Sequence, residues 1–575
     1  MKGKPGTARK LATEKKMEYL LGIDLGTTNC TVTAVDERGN LKVIPNSEGG
    51  RITPSAVYFE EEENHYLVGQ KAKDRAASDP GHRLVTLVKR EMGKSRDRIR
   101  YNRLKRKAEP YVFWGREFSP AEVSSKILAQ LKRDAERELG QPVSKAIITC
   151  PAYFGQNEKE ATRKAGEYAN LDVISILPEP TAAALAYVNG MKIRKRTERI
   201  FVFDLGGGTF DVTILEVSNG DRKNIEAKRC DGDSKLGGAD WDETIVNYMV
   251  NRFYSVNKVN LLYEEGEARD SAYGRLTLDA ERLKKELSAP GAKTATMTMS
   301  YGGATLTEEF TIEKYAEITA SLNERCRGYC CNLLDDAGLG WGDIDLILMV
   351  GSMSNCLFLQ KMLGEWSGKE TNFGIVDPKT CVSTGAAIMA HLLCHPDAAE
   401  NPQPERQTEE GEGGVFLGGD EGSVDEAFDP GRLGVGVLPA SIRLSAFDRN
   451  RKPLAYRMLS KNQPYPCEFK QKFPVQSPNQ STVNVTVLEG EDDDPEYCRA
   501  IGTSKLPLVG EHGRDDLVEV SFSVDMNGIL QVYAIDLKSG ERIDVEMDRN
   551  DGFNETAESV RKAAEDAAEF DVFLG

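Results

Sequence analysis

The fold is decided by the stretch Phe203-Asp204-Leu205-Gly206-Gly207-Gly208-Thr209-Phe210-Asp211. Apolar residues precede it at 200–202 and follow it at 212–215, a pattern that predicts a strand, a glycine turn and a second strand. Three consecutive glycines reach backbone angles that residues with a Cβ avoid, so several amide groups can converge on one anion. The turn is therefore interpreted as a phosphate cradle, although an isolated glycine hairpin can equally be a plain tight turn.

Two carboxylates flank this turn. Asp204 and Asp211 would repel a bare phosphate, so their presence indicates a divalent cation, expected to be hydrated Mg²⁺, between carboxylate and phosphate. Thr209 adds a hydroxyl group to the same turn.

A second copy of the pattern lies near the start of the chain, at Leu21-Gly22-Ile23-Asp24-Leu25-Gly26-Thr27-Thr28. It is again an apolar strand that ends in Asp, Gly and Thr, and a strand-like run follows at 31–35. Asp24 and Asp204 lie 180 positions apart. The duplication predicts two similar lobes, each of which offers one phosphate hairpin to a shared cleft.

These motifs resemble the ATPase of the heat-shock protein 70 (DnaK-like) chaperone family. The resemblance is dense over residues 20–395 and looser in the C-terminal third. It implies an α/β, two-lobed, actin-like ATPase domain at 18–395, with lobes at about 18–190 and 200–395, followed by an all-β sandwich domain. It also implies ATP or ADP, Mg²⁺ and K⁺ as cofactors, with unfolded polypeptides, a J-domain co-chaperone and an exchange factor as partners.

The resemblance also suggests the catalytic residues. Lys89 aligns with a lysine that reaches the γ-phosphate, and Glu179 with a glutamate of the hydrolysis apparatus; Asp204, Thr209 and Asp211 complete this group. Without the family, Lys89 would be interpreted as a solvated helix lysine and Glu179 as a helix-start carboxylate. Asp24, Asp204 and Asp211 are expected to hold Mg²⁺ through water.

The nucleotide-binding residues implied by the family form a larger set. They are Asp24, Gly26, Thr27, Thr28, Gly206, Gly207, Gly208, Gly237, Gly238, Glu281, Lys284, Lys285, Ser288, Gly351 and Ser352. The four from Glu281 to Ser288 share one face of a predicted helix, where an exposed ion-pair ladder is the alternative interpretation. Lys285, Ser352 and Asn355 depart from the family, which more commonly has arginine, glycine and arginine there, so we expect weaker binding of the base.

Between the two hairpins the pattern alternates strands and helices, as in α/β proteins. An amphipathic helix is predicted at 120–139, with Ser119 as its N-cap and Pro120 at its first position. A buried strand follows from Lys145, and a second helix is predicted at about 157–169.

Composition limits the remaining possibilities. The net charge of −17 argues against general nucleic-acid binding. Residues 1–17 are basic and predicted to be disordered, without the apolar core of a signal peptide, and no run is long enough for a membrane span. The eleven cysteines are scattered, which indicates reduced thiols and a cytoplasmic location.

An acidic, flexible linker is predicted at 396–431. Val415-Phe416-Leu417 is the only candidate there for the apolar linker with which the family couples its domains, so interdomain coupling stays an open question at this point. From 432 to 550 the alternation is that of strands, and Asn527-Gly528 predicts a hairpin. By resemblance, Phe473, Val483 and Val485 would line a peptide groove; otherwise they are sandwich core.

Residues 551–575 are predicted to form a short helical tail, with a helix at about 555–570. Only 28 residues follow Met547, which predicts a truncated or absent helical lid and hence fast peptide exchange. The leading hypothesis is an ATP-dependent chaperone. Two alternatives remain: a nucleotide-gated scaffold that does not hydrolyse ATP, and a small-molecule kinase of the actin-like superfamily.

Overall fold

The computed structural model describes residues 17–78, 83–94, 100–102, 107–189, 197–219, 223–264, 266–369, 371, 376–395, 421–424, 436–447, 452–475, 480–513 and 516–547. The predicted helical tail, nearly all of the predicted basic N-terminus and most of the predicted linker, including Val415-Phe416-Leu417, lie outside these residues.

The first lobe is built on a sheet in the order β13-β12-β1-β2-β3, with β4 paired to β2. β1 runs antiparallel to β2 and parallel to β12. Its elements are β1 (Tyr19–Asp24), β2 (Asn29–Asp36), β3 (Asn40–Val43), β4 (Thr53–Pro54), β5 (Ala56–Phe59), β6 (Tyr66–Val68), α1 (Gln70–Ser78), β7 (Leu84–Thr86), β8 (Arg100–Asn102), β9 (Lys107–Glu109), β10 (Tyr111–Phe113), β11 (Arg116–Phe118), α2 (Pro120–Leu139), β12 (Lys145–Cys150), α3 (Gln156–Tyr168), β13 (Asp172–Pro178) and α4 (Glu179–Val188).

The second lobe repeats this plan around a sheet in the order β16-β15-β14-β19. β14 is antiparallel to β15 and parallel to β19, as β1 is to β2 and β12. Its elements are β14 (Thr197–Leu205), β15 (Phe210–Asn219), β16 (Lys223–Asp233), α5 (Gly238–Asn257), α6 (Glu267–Leu287), β17 (Thr294–Tyr301), β18 (Ala304–Thr311), α7 (Ile312–Ile318), α8 (Ala320–Ala337), β19 (Leu346–Val350), α9 (Leu357–Ser367) and α10 (Cys381–Cys394).

The C-terminal part is a β-sandwich of two four-stranded antiparallel sheets, β23-β22-β26-β27 and β25-β28-β29-β30. Its strands are β21 (Gly436–Val437), β22 (Ile442–Phe447), β23 (Pro453–Leu459), β24 (Pro464–Tyr465), β25 (Cys467–Pro474), β26 (Thr482–Glu489), β27 (Arg499–Pro507), β28 (Leu517–Val524), β29 (Leu530–Asp536) and β30 (Arg542–Asp544). One further strand, β20 (Glu421–Ser423), lies in the predicted linker and pairs with β3 of the first lobe. The predicted fold class is confirmed.

Helix α2 shows how local sequence sets an element. Its bounds are those predicted, and the Ser119 hydroxyl accepts a hydrogen bond from the Glu122 amide (3.1 Å). The Glu122 carboxylate accepts one from the Ser119 amide in return (2.7 Å), which completes a capping box. Gly140 ends the helix at a positive φ of 65°.

Two central helices, α4 and α10, cross at a point where only glycine fits. A Cβ added at Gly385 of α10 would lie 1.7 Å from the carbonyl oxygen of Ala182 in α4. A Cβ added at Gly22 of β1 would lie 2.1 Å from the backbone nitrogen of Ala387. Because the backbones approach so closely, α10 packs against both α4 and the first sheet.

The sandwich packs onto the two lobes. Buried residues of α4 and α10 form one continuous apolar cluster with β14 to β16 and with the inner faces of the sandwich. All eleven cysteines are free thiols, in agreement with the sequence. Among the described residues, no helix is both long and apolar enough to cross a bilayer.

The helix crossing gives a stability test. Gly385→Ala should lower the free energy of unfolding by roughly 3 kcal/mol or more, because the added methyl group overlaps backbone that cannot move aside. Gly328→Ala is the matched control: Gly328 lies exposed inside α8 with open space around its Cα, so alanine should stabilise by roughly 0.5–1 kcal/mol. Guanidinium unfolding followed by circular dichroism measures both, and equal effects would contradict the close crossing.

Candidate functional site

A cleft of about 1110 Å³ lies between the two lobes. Both glycine hairpins line it, together with α6, the turn after β19 and the segment 84–90. Of the residues that the sequence suggested for catalysis and nucleotide binding, the cleft wall contains Asp24, Gly26, Thr27, Thr28, Lys89, Glu179, Asp204, Gly206, Gly207, Thr209, Glu281, Lys284, Lys285, Ser288, Gly351 and Ser352. Lys73, Arg90 and Asp242, which the sequence did not suggest, line it as well.

The two hairpins touch each other across the base of the cleft. A Cβ added at Gly207 would lie 2.1 Å from the Thr28 hydroxyl oxygen, and one added at Gly208 would lie 2.1 Å from the Thr27 methyl carbon. Each threonine of the first lobe thus fills the space that a side chain would occupy in the second. Gly207 and Gly208 are therefore required for this contact, whereas Gly206 has room for a side chain. None of the three has a positive φ, so the expectation that the turn uses backbone angles closed to other residues is wrong.

The start of α5 is bonded to the second hairpin. The Gly238 amide donates to the Gly206 carbonyl (3.0 Å), and the Ala239 amide donates to the Gly207 carbonyl (2.8 Å). Gly237 backs onto Gly208, where a Cβ would lie 2.4 Å from the Gly208 carbonyl carbon. Gly237 and Gly238 therefore support the hairpin from behind.

Four carboxylates from different elements face the cleft or lie beside it. Asp24 ends β1, Glu179 begins α4, Asp204 lies near the end of β14 and Asp211 near the start of β15. Burial, and then the negative charge of Glu179, raises the pKa of Asp24 to about 7. Burial and the neighbouring carboxylates hold the pKa values of Asp204 and Asp211 well above their usual range. The cluster thus favours binding a cation or a proton.

Lys89 is the cation inside this cluster. It lies in a 3₁₀ turn at Val88–Glu91, is only 4% exposed and forms an ion pair with Glu179. Burial opposes its charge, but Glu179 and Asp24 outweigh that effect and raise the pKa of the lysine. The interpretation as a solvated helix lysine is therefore wrong.

Asp211 connects the cleft to the chain after β12. Its Oδ1 accepts a hydrogen bond from the Ala152 amide (3.0 Å), directly after Pro151. Its Oδ2 is buried, and within the described part of the chain no donor reaches it. A buried carboxylate oxygen without a donor is costly, so this atom is suited to a cation or an ordered water.

The four residues predicted to share one face of α6, Glu281, Lys284, Lys285 and Ser288, divide into two groups. Lys284 is buried and donates to the Gly238 carbonyl and to Asp242 (2.8 Å each), and the Ser288 hydroxyl donates to the Lys284 carbonyl. Glu281 binds Lys285 on its own helix (2.7 Å) and Lys73 across the cleft (3.3 Å). The exposed ladder is thus limited to Glu281 and Lys285, whose side chain is 69% exposed.

The third wall begins at Gly351, which follows β19 with a positive φ of 87°. A Cβ there would lie 2.5 Å from the Asp204 carboxylate, so glycine lets β19 end beside this candidate metal ligand. Asn355 is half-buried, and its side-chain amide donates to the Ser352 carbonyl (3.0 Å). This wall therefore has a small amide at the position where the family has a long cation.

Arg90 joins the lobes at the base of the cleft. It donates to the Gly208 carbonyl (2.6 Å) and forms an ion pair with Asp240. Lys73 and Glu281 form the second cross-lobe pair. Partners 150 and 208 positions apart leave no local pattern, so sequence reasoning missed both pairs.

The suggested peptide residues lie in the sandwich. Val485 is 1% exposed and belongs to the core, whereas Phe473 and Val483 are half-buried and pack against that core. The Tyr456 ring meets Phe473 edge-on, with ring centroids 5.4 Å apart. Phe473 and Val483 therefore remain accessible in part, whereas Val485 does not.

The sandwich docks on α3. The Gln156 side chain donates to the Gly528 carbonyl (2.8 Å) and accepts from the Leu530 amide (2.7 Å). The buried Lys159 ammonium lies 4.7 Å from the centre of the Tyr465 ring. α3 begins four residues after Ala152, so the helix that holds the sandwich follows the segment that holds Asp211.

The sequence matches the family described as Hsp70 protein over residues 20–401 and 437–572. A two-lobed nucleotide-binding fold joined to a β-sandwich defines the class, and the chain belongs to the Hsp70 family. Membership of this family supports the assignment of the chain as a chaperone that binds nucleotide.

The raised carboxylate pKa values predict how stability depends on pH without ligand. Asp24 has a higher pKa in the folded chain than in the unfolded chain, so between these two pKa values the folded chain binds more protons than the unfolded chain. The contribution of Asp24 to the free energy of unfolding therefore falls as pH rises from about 4 to 8. Asp24→Asn should remove part of this slope and stabilise the ligand-free protein at pH 8 by roughly 1 kcal/mol, less than the whole shift implies because Asp24 is partly exposed.

Chemical denaturation at pH 6 and pH 8 measures this difference. Asp279→Asn, which alters a carboxylate in an exposed ion pair with Arg282, is the control. A wild type and an Asp24→Asn variant with the same pH slope would contradict the assignment.

Proposed function

We propose that this chain is an ATP-dependent chaperone, which hydrolyses ATP in the cleft and thereby changes the grip of the sandwich on extended apolar segments of unfolded polypeptides. The proposal rests on two opposed glycine hairpins that meet three carboxylates, Asp24, Glu179 and Asp204, and Lys89 in one cleft. Asp211 is buried near the same carboxylates. Family membership supports the same assignment. A J-domain co-chaperone and an exchange factor are the further partners that we propose, in the cytoplasm.

The residues present fit a hydrated Mg²⁺. Asp24, Asp204 and Asp211 supply the hard oxygen atoms that this ion prefers, and Mg²⁺ commonly keeps several waters. Within the described residues, no group of three ligating side chains is close enough to hold a metal directly, which suits an ion held through water. When bound, the cation neutralises phosphate charge, and K⁺ would serve the same role nearby.

Glu179 is suited to orient the attacking water. Pro178 and Pro180 fix the backbone on both sides of it, at the corner where β13 passes into α4. Its carboxylate forms an ion pair with Lys89. The raised pKa of Lys89 keeps the ammonium charged for contact with a γ-phosphate. In phosphoryl transfer the protein acts by positioning and charge stabilisation, which both side chains would provide.

Glu179→Gln should lower kcat for ATP hydrolysis by at least about 100-fold, because the amide cannot accept a proton from water or orient it as a carboxylate does. Nucleotide affinity should change by less than about tenfold. Glu216→Gln, which alters a carboxylate on β15 bonded to Arg199 and Lys228, is the control. Steady-state phosphate release and calorimetric binding measure the two quantities, and full turnover in Glu179→Gln would sink the proposed role.

Coupling between cleft and sandwich has a physical path in the docked structure. The Ala152 amide holds Asp211 beside the cleft, and the following helix α3 holds the sandwich through Gln156 and Lys159. Arg499 of the sandwich adds an ion pair with Glu158 (3.3 Å). A shift of Asp211 on nucleotide turnover would therefore move the surface on which the sandwich rests.

Lys159→Ala should reduce the stimulation of ATP turnover by a saturating apolar peptide at least twofold, because the buried cation over Tyr465 is lost. Basal turnover should stay within about twofold of wild type. Lys145→Ala, which alters an exposed lysine bonded to Glu18 on the same lobe, is the control. Unchanged peptide stimulation in Lys159→Ala would exclude this path.

A second candidate is a nucleotide-gated scaffold without hydrolysis. It is favoured by the Lys89–Glu179 ion pair, because the two residues proposed to act on phosphate and water are bound to each other instead. Binding of nucleotide with no turnover in the wild type, with or without peptide, would support this candidate over the ATPase.

A further inference from the structure

The outer edge of the first lobe's sheet is occupied by a strand from between the two domains. β3 is the last strand that the lobe itself contributes, and β20 extends the sheet beyond it. The pairing is antiparallel, and the opposed residues are Glu421 with Lys42, Gly422 with Leu41 and Ser423 with Asn40. An edge strand presents unpaired amide and carbonyl groups, which another extended segment can satisfy.

The pairing continues past the strand through an anchored side chain. The Val424 amide donates to the Gly39 carbonyl (2.8 Å). A Cβ added at Gly39 would lie 3.4 Å from both the Val424 Cβ and the His391 Nε2, so the valine and the imidazole both lie within van der Waals distance of this turn. Glycine is favoured here by its positive φ of 79°. Val424 is half-buried and packs against the central apolar cluster, to which Leu41 and Leu392 belong.

His391 is a fixed wall of this niche. It is buried on α10, and its Nδ1 lies 3.2 Å from the Asp36 carbonyl oxygen. The turn after Asp36 is fixed as well, because the Asp36 carboxylate accepts hydrogen bonds from the Arg38 and Asn40 amides (2.9 Å each). The niche therefore combines main-chain pairing with a contact surface of fixed residues for a small apolar side chain.

We propose that the β3 edge and the niche at Gly39 and His391 form a peptide-binding site of the strand-addition type, and that its ligand is the chain's own segment 421–424. Main-chain hydrogen bonds supply affinity in this recognition mode, and the pocket that accepts Val424 supplies specificity. The site is separate from both the nucleotide cleft and the suggested peptide groove. It requires neither ATP hydrolysis nor client binding.

Occupancy of this site shortens the tether of the sandwich. Gly436, the first residue of β21, follows Val424 by 12 positions and His395, just after α10, by 41. A fully extended chain spans at most about 3.6 Å per residue, so the bound segment limits the tether to about 43 Å, compared with about 150 Å from α10. The bound segment thus keeps the sandwich near its docking surface on α3.

The same geometry makes the β3 edge a point of control. An extended peptide with a small apolar residue at the Val424 position would offer the same main-chain groups. If it replaces segment 421–424, the tether lengthens and the sandwich is less often docked.

Hydrogen exchange on the full-length protein, followed by mass spectrometry, tests the site. In wild type the amides of 421–424 and of β3 should exchange at least about tenfold more slowly than in an unstructured peptide. Val424→Pro removes the amide that bonds Gly39 and should abolish protection at 421–423, whereas Val424→Ile, which keeps the amide and the apolar side chain, should preserve it. Exchange of 421–424 at the unstructured rate in wild type would overturn the proposal, whatever the variants do.

Dilution separates binding within one chain from exchange with a second copy. Protection at 421–424 that is constant over a 100-fold range of protein concentration supports the intramolecular ligand, and protection lost on dilution overturns it. A synthetic peptide of residues 418–427 in millimolar excess should then deprotect 421–424 while β3 stays protected. Continued protection of 421–424 at saturating peptide would contradict a shared site.

Discussion

The main physical constraint on the cleft is that more negative than positive charge is buried between the lobes. Four carboxylates, Asp24, Glu179, Asp204 and Asp211, converge on a single ammonium, that of Lys89. Uncompensated carboxylates are costly away from water, so the group must gain a cation or take up protons. Burial first, and then repulsion by the neighbouring carboxylates, raises the pKa values of Asp24, Asp204 and Asp211. A cation with a phosphate ligand would offset the excess negative charge, which links the electrostatics of the cleft to its proposed chemistry.

Close backbone contacts hold these charges in place at the base of the cleft. Side-chain ion pairs, which can rearrange, link the lobes elsewhere. The glycine hairpins meet side chain to backbone, and Gly385 lets α10 press on α4, so the base of the cleft is fixed. At its mouth the lobes are joined by Lys73 with Glu281, a partly exposed pair of the kind that contributes about 0–1 kcal/mol. A rigid base with a weakly joined mouth suits a cleft that opens for nucleotide exchange. The sandwich rests on α3, next to the part of the base that contains Asp211.

Sequence patterns predicted correctly the features that are determined by residues close together in the chain. The period and cap of α2 and the Gly-Gly-Gly hairpin follow from a few neighbouring residues, and the structure contains both as predicted. The ion pairs Arg90–Asp240 and Lys73–Glu281 and the docking of Gln156 on the sandwich join distant segments, so no periodicity signals them. Strand β20 was missed for another reason: Glu-Gly-Ser-Val has neither the length nor the alternation of a typical strand, and only the open edge of β3 makes it one. The burial of Lys89 was likewise invisible in the sequence, because it depends on Glu179, 90 positions away.

We expect the buried carboxylates to hold protons that a nucleotide-bound cation displaces. Isothermal titration calorimetry of Mg²⁺–ADP binding at pH 7, repeated in buffers with different ionisation enthalpies, measures this displacement directly. Such displacement predicts net proton release from wild type, less release from Asp24→Asn, and binding that weakens strongly when Mg²⁺ is removed by chelation. Binding that releases no protons and is equally tight without a divalent cation would contradict it.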